Sequence, residues 1–288
     1  MFKLGIIPYP GGDSRFVDRI IELLPDGKLF VEPFGGSGVV SLTLVKLQKY
    51  PKVILNDADP VIYAAYYVLK YEPDIVEAVE VYLRFAYKYG VDWIRSQKAF
   101  FKKKIEEIEA GKIKNIKLLG FLSLLLHYLF TAPFRSGLPI RWIDKLSRYK
   151  FVGEKLRTIS QVMQSPILEI RNEDAFKLIP EVDSEDTVFY VDPPHIGKRL
   201  YRLEFTVAQA LRLAKLLASC RGKILAKYSP SDKPVITYLL KHGFKIVWQP
   251  EYYSFIEPKK RRITNYYFLA NYTPTVGEEI GKIYRCVW

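Results

Sequence analysis

Four stretches of this chain follow one pattern: an apolar, strand-forming run that ends on an acidic residue, with or without glycines. They are KLFVEPFGGSG at 28–38, KVILNDADP at 52–60, ILEIRNEDAF at 167–176 and TVFYVDPPH at 187–195. Their nearly unbroken apolar character is that of parallel strands covered on both faces. Three further runs, KILAKYS at 223–229, FKIVWQ at 244–249 and NYYFLANY at 265–272, bring the expected strands to seven. Helical repeats separate most of them: DSRFVDRIIELLP, DPVIYAAYYVLKY and FTVAQALRLAKLLASC carry apolar residues at spacings of three and four. Alternating strand and helix predicts an α/β fold, a Rossmann-like doubly wound sheet of seven mostly parallel strands. The last two strands have no helix between them, so an antiparallel hairpin is expected at that edge.

The alternation lapses between residues 73 and 163, where the pattern is helical. The predicted organisation is therefore a core made of 1–72 and 164–288, carrying an inserted, mainly helical subdomain of 73–163. The insertion is strongly basic: residues 84–117 contain ten Lys or Arg and four Asp or Glu. It accounts for much of the net charge of +13, a surplus that favours an anionic partner such as nucleic acid. The longest apolar stretch, LLGFLSLLLHYLF at 118–130, is too short to cross a bilayer and reads as a buried helix. MFKLGIIPYPGG breaks on proline and glycine, so no secretory leader is expected, and two cysteines do not make a disulfide framework. A cytoplasmic location follows as an expectation.

In doubly wound folds ligands bind outside the carboxyl ends of the strands. Four consecutive ends here present glycines or carboxylates: Gly35, Gly36 and Gly38, then Asp57, Asp174 and Asp192. The glycines do not have phosphate-loop spacing, because no Lys-Ser/Thr follows them.

The order PYPGG (8–12), FVEPFGGSG (30–38), NDADP, a basic insertion and then YVDPPH resembles the Dam-like, D12 class family of adenine-N6 DNA methyltransferases. The resemblance extends from residue 8 to the final strand. It implies S-adenosylmethionine as cofactor. The loop Glu32, Pro33, Phe34, Gly35, Gly36 and Gly38 would wrap it, Asp57 would hold its ribose hydroxyls, and Asp174 would face its adenine. Tyr9, Gly11 and Gly12 would lie against its methionine end. Relatives often carry lysine after the paired glycines where this chain has Asp13, which leaves Arg15 or Lys3 to meet the methionine carboxylate.

The chemistry of Asp192, Pro193, Pro194 and His195 can be argued independently. An exocyclic amine on adenine is a poor nucleophile because its lone pair is delocalised. A carboxylate (Asp192) and the adjacent carbonyl (Pro193) can both accept from that NH2, favouring a pyramidal nitrogen and stabilising positive charge as it develops. The prolines hold both acceptors stiffly. The target base must leave the duplex to reach them, and His195, where the family has Tyr or Phe, is the expected stacking residue. Candidate DNA contacts are Lys102, Lys103 and Lys104 in the insertion, Arg135, Ser136 and Arg141 around an expected hairpin, and Lys259, Lys260, Arg261 and Arg262 before the last strand.

The preferred partner is double-stranded DNA, and both a restriction–modification pairing with a nuclease and a solitary role fit. RNA or cytosine N4 could be the acceptor by the same chemistry. A protein-glutamine substrate would leave the basic insertion unexplained. A catalytically inactive nucleic-acid-binding protein of the same fold is the alternative from another class. No metal is expected.

Overall fold

The computed structural model describes residues 4–8, 13–130, 133–134, 138, 140, 146–196, 202–253 and 263–275. All seven expected strands are present: β1 (Leu29–Glu32), β2 (Lys52–Asn56), β3 (Leu168–Arg171), β4 (Thr187–Val191), β5 (Lys223–Tyr228), β6 (Lys245–Trp248) and β9 (Tyr267–Ala270). They form one sheet in the order β3-β2-β1-β4-β5-β9-β6. The β1–β4, β2–β3 and β4–β5 pairs are parallel. Strand β9 runs antiparallel to both β5 and β6, which is the predicted antiparallel edge. A second sheet of two short strands, β7 (Glu251–Tyr253) and β8 (Ile263–Asn265), was not foreseen.

The strand order reverses between β1 and β4, so the topological switch point of the doubly wound sheet lies at their carboxyl ends. Leu29 is in register with Thr187 and Val31 with Phe189, which brings Glu32-Pro33-Phe34 and Asp192-Pro193-Pro194-His195 off the same edge. Strand β4 is buried along its whole length, as its unbroken apolar sequence requires.

Two compact units are distinguishable. The first comprises residues 1–17 and 35–173, the second 18–34 and 174–288, so the glycine-rich loop changes unit between Phe34 and Gly35. The first unit holds β2, β3 and six helices: α2 (Val39–Leu47), α3 (Pro60–Tyr71), α4 (Pro73–Ser96), α5 (Lys98–Glu109), α6 (Ile116–Leu129) and α7 (Leu146–Met163). Helix α3 starts on Asp59, whose side chain accepts from Val61 N, with Pro60 at the first turn. Asn115 caps α6 in the same way. Gly120 lets α6 approach α3 so closely that a Cβ there would collide with the Ala64 carbonyl oxygen. Buried Glu80 of α4 pairs with Arg157 of α7, and Gly153 leaves the room its carboxylate occupies. The apolar run 118–130 is the buried helix α6, and no described helix is long and apolar enough to cross a membrane.

The second unit holds β1, β4, β5, β6, β9, the β7–β8 pair, most of α1 (Val17–Leu23), α8 (Ala175–Val182), α9 (Val207–Ser219) and α10 (Lys233–Lys241). Helix α9 opens with a capping box in which Thr206 and Gln209 satisfy each other's backbone.

Candidate active site

In the first unit, the end of β2 and the glycines form one hydrogen-bonded cluster. Asp57 accepts from Gly36 N through Oδ2 and from Asp59 N through Oδ1, both at 2.9 Å. The Tyr66 hydroxyl, fully buried on α3, donates to the Gly36 carbonyl at 2.8 Å. Gly35 N donates to Asn56 O at 2.7 Å, and a Cβ on Gly35 would sit 2.8 Å from both that oxygen and the Tyr66 hydroxyl. Gly36 and Gly38 have φ of 50° and 66°, in the left-handed region that suits glycine. The side chain of Asn56 is joined to the backbone of Glu173 in both directions, at 2.9 and 3.0 Å, which locks the end of β2 to the segment after β3.

Asp57 is half-buried and fixed in orientation by the Gly36 and Asp59 amides. The backbone beside it is bare of side chains at Gly36. Residues 9–12, including Tyr9, Gly11 and Gly12, lie outside the described residues.

In the second unit, Glu32 is buried, and Phe34 meets Phe205 edge-on with ring centroids 6.0 Å apart. Asp174 is exposed and caps α8, accepting from Phe176 N at 2.9 Å through one oxygen. The resemblance assigns its carboxylate to a ligand; the fold also uses it to start a helix.

At the end of β4, Pro193 is buried while Asp192, Pro194 and His195 are half-exposed. Lys227 of β5 places Nζ 3.0 Å from Asp192 Oδ2, and its side chain is 1% exposed. The same ammonium lies over the ring of Tyr266, 4.6 Å from its centroid. Tyr266 stands parallel to His195, with 9° between the ring planes and 6.1 Å between centroids. The next residue of β5, Tyr228, is buried; burial first, then the carboxylates of Asp232 and Asp192, push its phenol far above the ordinary tyrosine range.

Sequence reasoning missed Lys227, Tyr266 and Tyr66. What marks Lys227 is the strand register of the folded sheet. Val191 pairs with Ala226, so the following residues, Asp192 and Lys227, are cross-strand neighbours. Tyr228 pairs with Tyr267 on antiparallel β9, which puts the start of β9 at the same edge.

Of the expected nucleic-acid contacts, Lys102 and Lys103 on α5 are exposed. Lys104 is engaged by Glu107 at 2.7 Å and lies over the Phe100 ring. Arg135, Ser136 and Arg141 lie outside the described residues, although an isolated antiparallel bridge joins Phe130 to Ile140 around the first two. Lys259, Lys260, Arg261 and Arg262 also lie outside them, between β7 and β8. No cluster of metal-ligating side chains occurs among the described residues.

Comparison with known proteins bears on this arrangement. No curated protein matches the sequence. A solved structure described as that of a "putative RNA methyltransferase PH1948 from Pyrococcus horikoshii" aligns over 92% of this chain and 84% of its own, with 12% identity and a TM-score of 0.38. A family model described as "D12 class N6 adenine-specific DNA methyltransferase" matches residues 9–262, which include the glycine loop, Asp57 and the Asp-Pro-Pro-His end of β4. The chain belongs to the D12 class N6 adenine-specific DNA methyltransferases.

Proposed function

We propose that this protein transfers a methyl group from S-adenosylmethionine to the N6 amino group of adenine at specific sites in double-stranded DNA. The observation that carries the reading is the placement of Asp192-Pro193-Pro194 at the carboxyl end of β4, the strand that forms the switch point with β1. When bound, S-adenosylmethionine supplies an electrophilic methyl group. Asp57, held by Gly36 and Asp59, would accept from the ribose hydroxyls, with Glu32, Pro33, Phe34, Gly35, Gly36 and Gly38 forming the loop around the nucleoside. Asp174, exposed at the start of α8, would meet the adenine, and Tyr9, Gly11 and Gly12 the methionine end.

The acceptor adenine would be flipped from the duplex and stacked on His195. Its NH2 would donate to Asp192 and to the Pro193 carbonyl, and that pair of acceptors pyramidalises the nitrogen before the transfer. The nitrogen would take the methyl group as the cofactor's sulfur leaves, and would then shed one proton, the Asp192 carboxylate being placed to accept it. Burial of Pro193 supports a carbonyl fixed in advance.

Residues 73–163 would recognise the target. The exposed Lys102 and Lys103, with Lys104, Arg135, Ser136, Arg141 and Lys259 to Arg262, would hold phosphates and bases. A DNA substrate and this cofactor would suit a cytoplasmic location, with or without a partner nuclease.

The test is transfer of labelled methyl to mixed-sequence DNA, to RNA and to no acceptor, with Asp192→Asn as control. Label recovered as N6-methyladenine in DNA and lost in the variant supports the reading. Label confined to RNA, or to cytosine, moves the substrate; cofactor binding with no transfer to any nucleic acid defeats it.

A further inference from the structure

We propose that Lys227 is a positioning residue for methyl transfer: it holds Asp192 ionised and fixes the rotation of its carboxylate for the target amine. The proposal deepens the reading above and rests on it.

The geometry is specific. A carboxylate at the tip of a strand can rotate, and nothing in the Asp-Pro-Pro sequence chooses which oxygen faces the substrate. Lys227 makes that choice by standing 3.0 Å from Oδ2. It is placed to do so by strand pairing, because it follows Ala226, the register partner of Val191. Its stem is buried and its ammonium is held from a second side by the face of Tyr266. A buried ammonium needs a counter-charge, and Asp192 is the ion-pair partner at hand.

Charge around Asp192 points the same way. The titratable groups described near it are Lys227 and Tyr228 on β5, Asp232 beyond Tyr228, Glu32 at the end of β1, Tyr266 before β9 and His195 on its own loop. Two of these are carboxylic acids, which oppose ionisation of a third. Lys227 is a cation that favours it, 3.0 Å away. As an opposite charge at hydrogen-bond distance it lowers the pH at which Asp192 protonates, and a protonated Asp192 would offer one acceptor fewer to the amine.

The experiment follows the carboxyl carbon of Asp192 by NMR across pH in protein labelled at aspartate, the signal being identified by its loss in Asp192→Asn. Wild type, Lys227→Met, Lys227→Gln and Lys227→Arg are compared, and methyl transfer is measured on the same samples. In Lys227→Met the midpoint should rise by about one pH unit or more, and Lys227→Arg should restore it. The fall in kcat should be greatest at the acidic end of the range, near the raised midpoint, and least at pH 9, with the KM for cofactor nearly unchanged. A merely structural lysine would lower activity equally at every pH. If Lys227→Met does not fold, Lys227→Gln, polar but neutral, gives the same reading. A midpoint unmoved in the neutral variants overturns the inference even if the wild type methylates DNA. A midpoint that moves in a protein that transfers no methyl sinks the methyl-transfer reading and leaves the ion pair standing.

Discussion

The rings of His195 and Tyr266 lie parallel, 9° apart in plane, with Lys227 over the tyrosine and Asp192 against the lysine. The histidine that ends the Asp-Pro-Pro turn therefore stands beside a second aromatic residue, from the start of β9 two strands away. This bears on the substitution of His for the family's Tyr or Phe. A larger ring at 195 can keep the parallel arrangement and offers a base a broader face. His195→Tyr should retain or raise turnover on adenine-containing DNA. A loss of kcat with unchanged DNA binding would show that the imidazole makes a polar contact instead.

Removing Asp192 has a cost beyond catalysis. Asp192→Ala would leave the buried Lys227 ammonium without its partner, and breaking such a pair costs about 3–5 kcal/mol, with the low end expected because Asp192 is 23% exposed. Denaturant unfolding should show that loss in Asp192→Ala and a smaller one in Asp192→Asn, which keeps an acceptor. Adding Lys227→Met to Asp192→Ala should recover most of the stability. Asp192→Asn should still lower kcat by about 10²–10³ through the lost acceptor charge.

Asp57 ties Gly36 to the start of α3, so its loss should be felt in binding and in folding alike. Asp57→Ala frees the Gly36 and Asp59 amides, with an expected destabilisation of about 1–3 kcal/mol. Calorimetry should show S-adenosylmethionine binding abolished or weakened at least about tenfold. Tyr66→Phe removes only the hydroxyl that donates to Gly36 and should cost about 1 kcal/mol with weaker binding.

Helix packing in the first unit depends on two glycines. Gly120→Ala drives a methyl into the Ala64 carbonyl, which is backbone and cannot swing away, so thermal unfolding should register about 1–3 kcal/mol of lost stability. At Gly153 the obstacle is the Glu80 side chain, and the methyl would displace it from Arg157. Gly153→Ala should therefore be destabilising in the native background and much milder in Glu80→Ala.

Cys220 gives a pH test. Burial, with the Asp183 carboxylate adding to it, pushes its thiol up to about 12. The thiolate is the reactive form, and at pH 8 it is a minute fraction. Iodoacetamide should label Cys220 slowly in the folded protein, with a rate still climbing between pH 9 and pH 11, and rapidly after denaturation. Peptide mass analysis resolves it from Cys286.

The sheet was legible in the sequence because its strands are buried on both faces, so each reads as an unbroken apolar run between helical repeats. The β7–β8 pair was not, since EYY and ITN are three residues long and flank a basic run that dominates the local pattern. Asp57 and Asp192 could be picked out because carboxylates at strand ends are unusual company for valine and tyrosine. Lys227 could not. Inside KILAKYS a lysine looks like a solvent-facing position of an edge strand. Its burial follows only from strand order, which places β5 between β4 and β9. Tyr66 was hidden for a different reason: on an amphipathic helix an aromatic residue passes for core, and its hydroxyl contact with Gly36 spans thirty residues of sequence.

The side chain of Asn56 behaves as a detached peptide unit. Its carbonyl receives Glu173 N and its amide reaches Glu173 O, so the ladder between β2 and the strand beside it is prolonged by an amide that belongs to no backbone. The main chain at Asp57 stays tied to the same segment: Asp57 N donates to Arg171 O at 3.3 Å, and the Asp57 carbonyl accepts from Asn172 Nδ2 at 2.7 Å. Aspartate would set an acceptor against the Glu173 carbonyl, serine could not span both bonds, and glutamine would overshoot. In a saturation scan, position 56 should tolerate a vocabulary of one residue, a strict spelling rule enforced by two hydrogen bonds pointing in opposite directions.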